Sequence, residues 1–377
     1  MIELKDLSHV YPNGFRAVNS INLTVENEEV CVLIGPSGCG KSTTLNMINK
    51  LIPISEGSIW IDDKNINTMS SIELRRNIGY AIQEVALFPH WTVAQNIATV
   101  PILNNWAKKR IDNRVDELLN LMGLEPDHYR DKYPIQLSGG EQQRVGVARA
   151  LGADPPILLM DEPFGAIDPI TRKRLQDEFL LIQEKIRKTI VFVTHDIQEA
   201  LKMGNRIAIL NAGELVQKGT PKAILEQPAN TFVAEFMGTD RNMKWLQLTF
   251  AEELLCYSDR HACISDSVET VLKKAAGTHL VSIPILDTDG KILGFVHERD
   301  LKSEKQNWTK KIRPFEQTVE RTTTIYDALF YIILDQNNYL PVSDGQGRYL
   351  GVITQDRVIT LLSDINNPDV KMERSDV

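Results

Sequence analysis

Residues 35–42 decide the fold of the first part of this chain, and they read Gly35-Pro36-Ser37-Gly38-Cys39-Gly40-Lys41-Ser42. The run satisfies the pattern G-x-x-x-x-G-K-[ST], which binds phosphate where it lies between an apolar strand and a helix. Residues 30–34 supply the Val/Ile-rich strand, and helical sequence begins near Ser42. We therefore expect backbone N–H groups that bind phosphate, with Lys41 on the β- and γ-phosphates and Ser42 on Mg²⁺.

A second apolar run, residues 157–160, ends in Asp161 and Glu162. An apolar strand that ends in Asp-Glu is by itself more often structural than catalytic. Paired with the glycine loop, it predicts that Asp161 holds the metal and that Glu162 polarises an attacking water. Similar apolar runs alternate with helical segments up to about residue 238, and this alternation predicts an α/β fold with a largely parallel sheet.

The motif that resembles a particular family follows at residues 137–144, which read Leu137-Ser138-Gly139-Gly140-Glu141-Gln142-Gln143-Arg144. It resembles the signature of ABC ATPases, and further motifs of that family follow in the same order over residues 1–238. These are the adenine-stacking Tyr11, the Q-loop Gln83, the D-loop Gly165-Ala166-Ile167-Asp168 and the switch residue His195. Glu141 and Gly165 depart from the family, where glutamine and serine are commoner.

The resemblance implies a mechanism in which two copies of the chain bind two ATP molecules head to tail. Glu162, His195 and Gln83 would be catalytic, and Ser42, Gln83 and Asp161 would bind Mg²⁺. The ATP-binding set would be Tyr11, Gly35, Ser37, Gly38, Cys39, Gly40, Lys41, Ser42, Thr43, Ser138, Gly139, Gly140 and Asp168. A helical subdomain is expected at about residues 110–134.

Composition limits the possible functions of the 377-residue chain, whose length fits two or three domains. A formal net charge of −8 argues against a nucleic-acid partner, which would require a basic face. Four scattered cysteines fit a reducing compartment. The N-terminus lacks the pattern of a signal peptide, and no apolar run approaches the ~18 residues of a membrane span, so a partner chain would supply the span.

Beyond about residue 240 the sequence repeats itself. Ile283-Pro284-Ile285-Leu286-Asp287 aligns with Leu340-Pro341-Val342-Ser343-Asp344, and residues 293–296 align with 350–353 at the same offset. Two small copies of one α+β unit are expected to pack on each other. The repeat resembles a pair of CBS domains, which commonly bind adenine nucleotides.

The ligand of the CBS pair stays open at this point. The resemblance implies a site that includes Val281, Ile283, Ile353, Thr354 and Arg357. Arg357 stands where aspartate is usual and would favour a phosphate-rich ligand, because its planar guanidinium donates to phosphate oxygens. His297 also departs, since Thr or Ser is usual there. The alternative is a purely structural pair that serves only dimerisation.

An ABC ATPase followed by a CBS pair resembles the ATP-hydrolysing subunit of importers for glycine betaine, carnitine, choline and related quaternary amines. In such importers the CBS pair has been associated with binding of cyclic di-AMP or with sensing of ionic strength. A homodimer, membrane permease subunits, an extracellular substrate-binding protein or domain and a location on the cytoplasmic face of the membrane are implied. Residues 87–93 would face the permease. The expected bounds are 1–238 for the ATPase, 239–262 for a linker, 263–308 and 309–365 for the CBS domains and 366–377 for a tail.

Two alternatives remain at this stage. One is a soluble ABC ATPase that acts on nucleic acid or the ribosome, although such proteins usually carry two fused cassettes and basic surfaces. The other is an importer of a different trimethylammonium solute, such as ergothioneine. The solute does not touch this chain, so its residues cannot specify it.

Overall fold

The structure is a computed structural model, and it describes residues 1–82, 86–165, 168–256, 259–276, 280, 282–303, 305–334 and 337–366. The chain divides into two compact units. The first contains residues 1–224 and 228–236, and the second contains residues 225–227 and the chain from 237 onward.

The strands of the first unit are β1 (Ile2–Val10), β2 (Arg16–Val25), β3 (Val30–Ile34), β4 (Glu56–Ile61), β5 (Lys64–Asn65), β6 (Ile78–Ala81), β7 (Ile157–Asp161), β8 (Thr189–Thr194), β9 (Arg206–Asn211) and β10 (Glu214–Gly219). The helices that begin in it are α1 (Lys41–Ile48), α2 (Ser71–Arg76), α3 (Val93–Leu103), α4 (Lys108–Leu121), α5 (Pro126–Tyr129), α6 (Gly139–Ala150), α7 (Pro169–Ile186), α8 (Ile197–Met203), α9 (Pro221–Glu226) and α10 (Thr231–Met237). Short 3-10 helices lie at 66–68 and 134–136.

Two sheets form the framework of this unit. The larger has the order β10-β9-β3-β8-β7-β6, and its strands run parallel except β10. The smaller is antiparallel, with the order β2-β1-β4-β5. One core cluster joins residues of both sheets with Leu45 and Met47 of α1, so that helix is enclosed between the sheets. The predicted parallel α/β fold is confirmed, and β3 is buried at every position.

A helical layer follows β6 in the chain and is built from α3 to α6. Thr92 begins α3 with a capping box, in which its hydroxyl accepts from the Gln95 N–H and the Gln95 side chain accepts from the Thr92 N–H. Val115, Leu118 and Leu119 form the buried side of α4. The helical subdomain expected near residues 110–134 is therefore present and extends further in both directions.

The second unit contains the repeat. Its strands are β11 (Ala262–Cys263), β12 (Ser282–Leu286), β13 (Ile292–His297), β14 (Val319–Glu320), β15 (Tyr339–Ser343) and β16 (Tyr349–Thr354). Its helices are α11 (Arg241–Gln247), α12 (Val268–Ala275), α13 (Glu298–Ser303), α14 (Ile325–Leu334) and α15 (Gln355–Asn366), with 3-10 helices at 251–254 and 305–311.

The two copies of the repeat have the same strand order and the same register. In the first sheet β11 pairs with β12 in parallel and β12 pairs with β13 antiparallel, and β14, β15 and β16 repeat this pattern. Ser282 lies opposite His297, and Tyr339 lies opposite Thr354, 57 positions later in each case because 339 − 282 and 354 − 297 both equal 57. The Ser282 hydroxyl also lies 2.8 Å from the Tyr339 hydroxyl, so the copies contact each other through equivalent positions.

Residues 239–262, which the sequence assigns to a linker, contain α11 and a 3-10 helix. This segment hydrogen-bonds to the second copy of the repeat: the Ala251 N–H donates to the Thr323 carbonyl at 2.8 Å, and Cys256 and Val352 exchange backbone hydrogen bonds. The predicted domain bounds stay a prediction.

Candidate functional site

The glycine loop connects β3 to α1 at the carboxyl end of the parallel sheet. Gly38 and Gly40 adopt φ values of +78° and +103°, in the left-handed region that glycine enters without steric cost. A Cβ on Gly40 would lie 2.5 Å from the Ala17 carbonyl oxygen, a distance that no side chain tolerates. The loop conformation therefore requires glycine at this position on two independent grounds.

Lys41 and Ser42 follow the loop as the first residues of α1. Lys41 is only 6% exposed, and its Nζ donates to the carbonyls of Gly35 at 2.7 Å and Pro36 at 2.9 Å. The ammonium is thus held at the loop by backbone oxygens, which a phosphate can replace. This geometry fits the predicted phosphate-binding role of Lys41.

Two oxygen ligands expected for Mg²⁺ meet beside this lysine. The Ser42 hydroxyl donates to Asp161 Oδ1 at 3.1 Å, although the two residues are 119 positions apart in the chain. Burial raises the pKa of Asp161, and the Ser42 hydrogen bond acts in the opposite direction. Mg²⁺ usually binds one or two protein oxygens together with substrate phosphates. The residues present therefore fit a magnesium ion that ATP brings with it.

Glu162 and His195 lie at the ends of the neighbouring strands β7 and β8. His195 Nδ1 is 3.1 Å from Glu162 Oε1, and the Glu162 N–H donates to the Val193 carbonyl at 2.9 Å. Glu162 has a φ of +45° and a side chain that is 19% exposed, whereas the His195 side chain is 63% exposed. The carboxylate can polarise a water next to the phosphate site, with the imidazole at the solvent side.

Tyr11 lies beside the N-terminal end of α1. Its hydroxyl is 3.3 Å from the Thr43 hydroxyl, its ring is 6.4 Å from that of Phe15 between centroids, and 37% of the residue is exposed. An exposed aromatic face next to the glycine loop has the shape needed to stack on an adenine ring.

Ser138 is the N-cap of α6, and Gly139 and Gly140 form its first turn. Together with Asp168, the N-cap of α7, these residues line a cavity of about 410 Å³. Asp168 accepts from the Thr171 N–H at 3.0 Å, and that hydrogen bond lowers the pKa of Asp168. No described residue of the glycine loop lines this cavity. On one chain, the Ser138-Gly139-Gly140 turn therefore shares this cavity with Asp168 and not with the described glycine loop.

Comparisons with known proteins agree with this geometry. Residues 18–165 match the ABC transporter family, and residues 261–306 and 312–364 match the CBS domain family. The chain is 43% identical to the osmoprotectant import ATP-binding protein OsmV of Salmonella typhimurium (strain LT2), with 96% of each chain covered. It is 42% identical to the glycine betaine/carnitine/choline transport ATP-binding protein OpuCA of Bacillus subtilis (strain 168), with 97% of each covered.

The chain belongs to the ABC transporter ATP-binding proteins. Its first unit is similar to a solved dimeric bacterial ABC transporter cassette, with 36% identity, a TM-score of 0.54 and coverage of 59% of this chain and 99% of that one. The predicted ABC-type ATPase fold followed by a CBS pair is confirmed. Among the described residues, none of the helices combines the length and apolar character required to cross a bilayer.

The residues expected to bind the CBS ligand lie in two kinds of surroundings in this ABC protein. Ile283 and Ile353 are buried, with 3% and 0% exposure. Thr354 ends β16, its hydroxyl accepts from the Arg357 N–H at 3.3 Å, and Arg357 is exposed on α15. Val281 lies outside the described residues, and so does Gln83 of the ABC motif set. Among the described residues of this set, Thr354 is partly exposed and Arg357 is exposed, and the ligand role of the whole set stays a prediction.

One buried network near the ATP site was not predicted from the sequence. Glu199 of α8 is 3% exposed and accepts from the Thr194 hydroxyl at 2.6 Å and from the Gln176 amide at 3.1 Å. Burial raises the pKa of Glu199. Because Thr194 directly precedes His195, the network holds the end of β8 in place. The sequence did contain a signal for this network, because Glu199 lies four positions after the candidate catalytic residue His195.

Proposed function

We propose that this protein is the ATP-hydrolysing subunit of an importer for quaternary-amine osmoprotectants such as glycine betaine, carnitine and choline. The observation that carries the proposal is identity of 42–43% over nearly the full chain, CBS pair included, to relatives named for osmoprotectant and glycine betaine/carnitine/choline transport. A choline transport ATP-binding protein of Bacillus subtilis (strain 168) supports the same solute class at 41% identity.

In this proposal, ATP and Mg²⁺ bind to the residues around the glycine loop. Lys41 binds the β- and γ-phosphates, and Ser42 and Asp161 hold the metal together with Gln83. The short Ser42–Asp161 distance and the backbone-held ammonium of Lys41 support these roles. Tyr11 stacks on the adenine, since its ring lies exposed beside Thr43.

Hydrolysis requires a second copy of the chain. Ser138, Gly139 and Gly140 of one copy meet the γ-phosphate bound at Lys41 of the other. On one chain, these three residues line a cavity that the described glycine loop does not line, which supports this arrangement. Glu162 then accepts a proton from the attacking water, and His195 contacts the γ-phosphate. A solved cassette dimer in a post-hydrolysis state with ADP and Pi, 35% identical to this chain, supports the dimer.

The partners are integral membrane permease subunits and an extracellular substrate-binding protein or domain, and the chain acts on the cytoplasmic face of the membrane. Relatives named as ATP-binding proteins of import systems support this arrangement. Phe88 and Trp91, which are 44% and 41% exposed with ring centroids 4.6 Å apart, are the aromatic residues that we assign to the permease contact. The net charge of −8 agrees with a protein that has no nucleic-acid partner.

Regulation occurs through the CBS pair, which binds cyclic di-AMP or another adenine nucleotide at the predicted site that includes Thr354 and Arg357. The exposed guanidinium of Arg357 at the start of α15 suits a phosphate, since arginine binds phosphate through paired N–H donors. Calorimetry of the full chain against cyclic di-AMP, ATP and AMP tests this part. Binding of none of them to the CBS pair would leave a structural role in dimerisation.

The transport proposal is tested with the chain, its permease and its binding protein reconstituted in vesicles. ATP-dependent uptake of labelled glycine betaine, carnitine or choline is expected, and the Lys41→Ala complex should show none. ATP-dependent uptake of ergothioneine alone would change the solute, and ATP hydrolysis without uptake of any trimethylammonium compound would refute the proposed function.

A further inference from the structure

Three side chains form a continuous hydrogen-bonded path from α5 to the N-terminus of α6. The Tyr129 hydroxyl donates to Glu141 Oε1 at 2.6 Å. Glu141 Oε2 accepts from the Ser138 N–H at 2.7 Å and from the Ser138 hydroxyl at 2.9 Å. Both carboxylate oxygens of Glu141 are thus engaged, one by each neighbour.

The contact between Glu141 and Ser138 is a capping box, a local feature that many helices share. The contact between Glu141 and Tyr129 is different, because it joins two separate helices. Tyr129 is the last residue of α5, and Glu141 lies 12 positions later in the first turn of α6. This second contact determines which way the Glu141 carboxylate faces.

The direction of that carboxylate matters because of its charge. The Tyr129 hydrogen bond is the main cause that lowers the pKa of Glu141, with hydrogen bonds from Ser138 and the Lys132 charge acting in the same direction. Glu141 is therefore ionised, beside the turn that meets a polyanionic triphosphate in the proposed dimer. Like charges repel at short range, so a carboxylate free to rotate toward that triphosphate would oppose closure of the dimer.

We propose that Tyr129 is a positioning residue for Ser138, acting through Glu141. Its hydroxyl holds the carboxylate on the α5 side, and the carboxylate in turn orients the Ser138 N–H and hydroxyl. This inference rests on the proposed function, since it assigns to Ser138 a contact with ATP bound by the partner copy. It concerns closure of the dimer around bound ATP, which precedes hydrolysis, and not the first binding of ATP, which occurs at Lys41.

Lys132 belongs to the same surroundings. Its Nζ lies 4.3 Å from the centroid of the Tyr129 ring and 2.7 Å from His128 Nε2. A cation over the face of an aromatic ring is attracted by the ring. Lys132 therefore supports the position of the Tyr129 ring and places positive charge near the Glu141 carboxylate.

The test compares Tyr129→Phe with Tyr133→Phe in the full-length chain, alone and with its permease. Each change removes one phenol hydroxyl and keeps the ring. Tyr133 lies four residues after Tyr129 and is 44% exposed. For Tyr129→Phe we expect kcat for ATP hydrolysis to fall by about tenfold to 150-fold, the range for loss of one hydrogen bond to a charged group, with KM unchanged. For Tyr133→Phe we expect wild-type kinetics and an unchanged melting temperature.

A rescue experiment separates positioning from ordinary structural support. The amide introduced by Glu141→Gln carries no charge, so in that background the Tyr129 hydroxyl should no longer be needed to restrain a carboxylate. Adding Tyr129→Phe to Glu141→Gln should therefore change kcat by no more than about twofold. A merely structural tyrosine would cost the same in both backgrounds.

The possible outcomes distinguish the positioning role of Tyr129 from the proposed function of the protein. If the wild-type complex hydrolyses ATP and Tyr129→Phe has the kcat of Tyr133→Phe, the positioning role is refuted while the proposed function stands. Equal losses in the wild-type and Glu141→Gln backgrounds refute it as well. If the wild-type complex does not hydrolyse ATP at all, the proposed function fails and this inference fails with it.

Discussion

The substitution Glu162→Gln isolates the chemical step of hydrolysis. The amide has the size of the carboxylate and can still accept a hydrogen bond from the His195 ring, whose Nδ1 lies 3.1 Å from Glu162 Oε1. The lost property is the ability to take a proton from water. A positioned general base contributes about 10²–10⁴ in rate, so kcat should fall by that factor, or about 3–5 kcal/mol in the activation free energy.

ATP affinity should stay within about twofold of wild type in this variant, because the contacts of Lys41 and Ser42 with phosphate and metal remain. The ATP-bound dimer should consequently accumulate. Steady-state phosphate release measures the first effect, and light scattering after gel filtration with ATP and Mg²⁺ measures the second. Glu184→Gln, at an exposed position of α7, is the matched control and should behave as wild type.

Two results would refute this reasoning. A Glu162→Gln rate within about threefold of wild type lies far below the effect of a general base and would remove Glu162 from that role. Loss of both turnover and ATP binding would show that the side chain supports the loop and not the chemistry.

The remaining predictions concern other parts of the chain. Gly40→Ala places a Cβ 2.5 Å from the Ala17 carbonyl oxygen, so the free energy of unfolding should fall by about 1–3 kcal/mol. ATP should also no longer raise the melting temperature of this variant, and an increase equal to that of the wild type would contradict this. Glu199→Ala leaves the buried Thr194 hydroxyl without its acceptor and should cost about 1–3 kcal/mol in urea unfolding, whereas a cost near zero would show that the network is dispensable. Arg357→Ala should weaken binding of cyclic di-AMP about tenfold in calorimetry, the effect of one charge-assisted contact, and equal affinities would remove Arg357 from that site.

Local motifs predicted much of the ATP site. A glycine loop after an apolar strand leaves few backbone conformations, so the sequence alone indicates where Lys41 and Ser42 lie relative to phosphate. The pairing of this loop with Asp161 was also predictable, since the carboxyl ends of parallel strands lie at one edge of a sheet. The offset of the C-terminal repeat predicted two equivalent sheets, because equal patterns of apolar residues select equal registers.

Contacts between distant residues were decided only by tertiary structure. The path from Tyr129 through Glu141 to Ser138 depends on how α5 packs beside α6, and the burial of Glu199 depends on how α8 packs on α7, which no local pattern specifies. The amino-acid sequence by itself determined the family, the loop chemistry and the repeat, because these depend on backbone geometry within a few residues. The fold decided which polar groups meet and which are removed from water, because hydrogen bonding and desolvation depend on neighbours that are far apart in the chain.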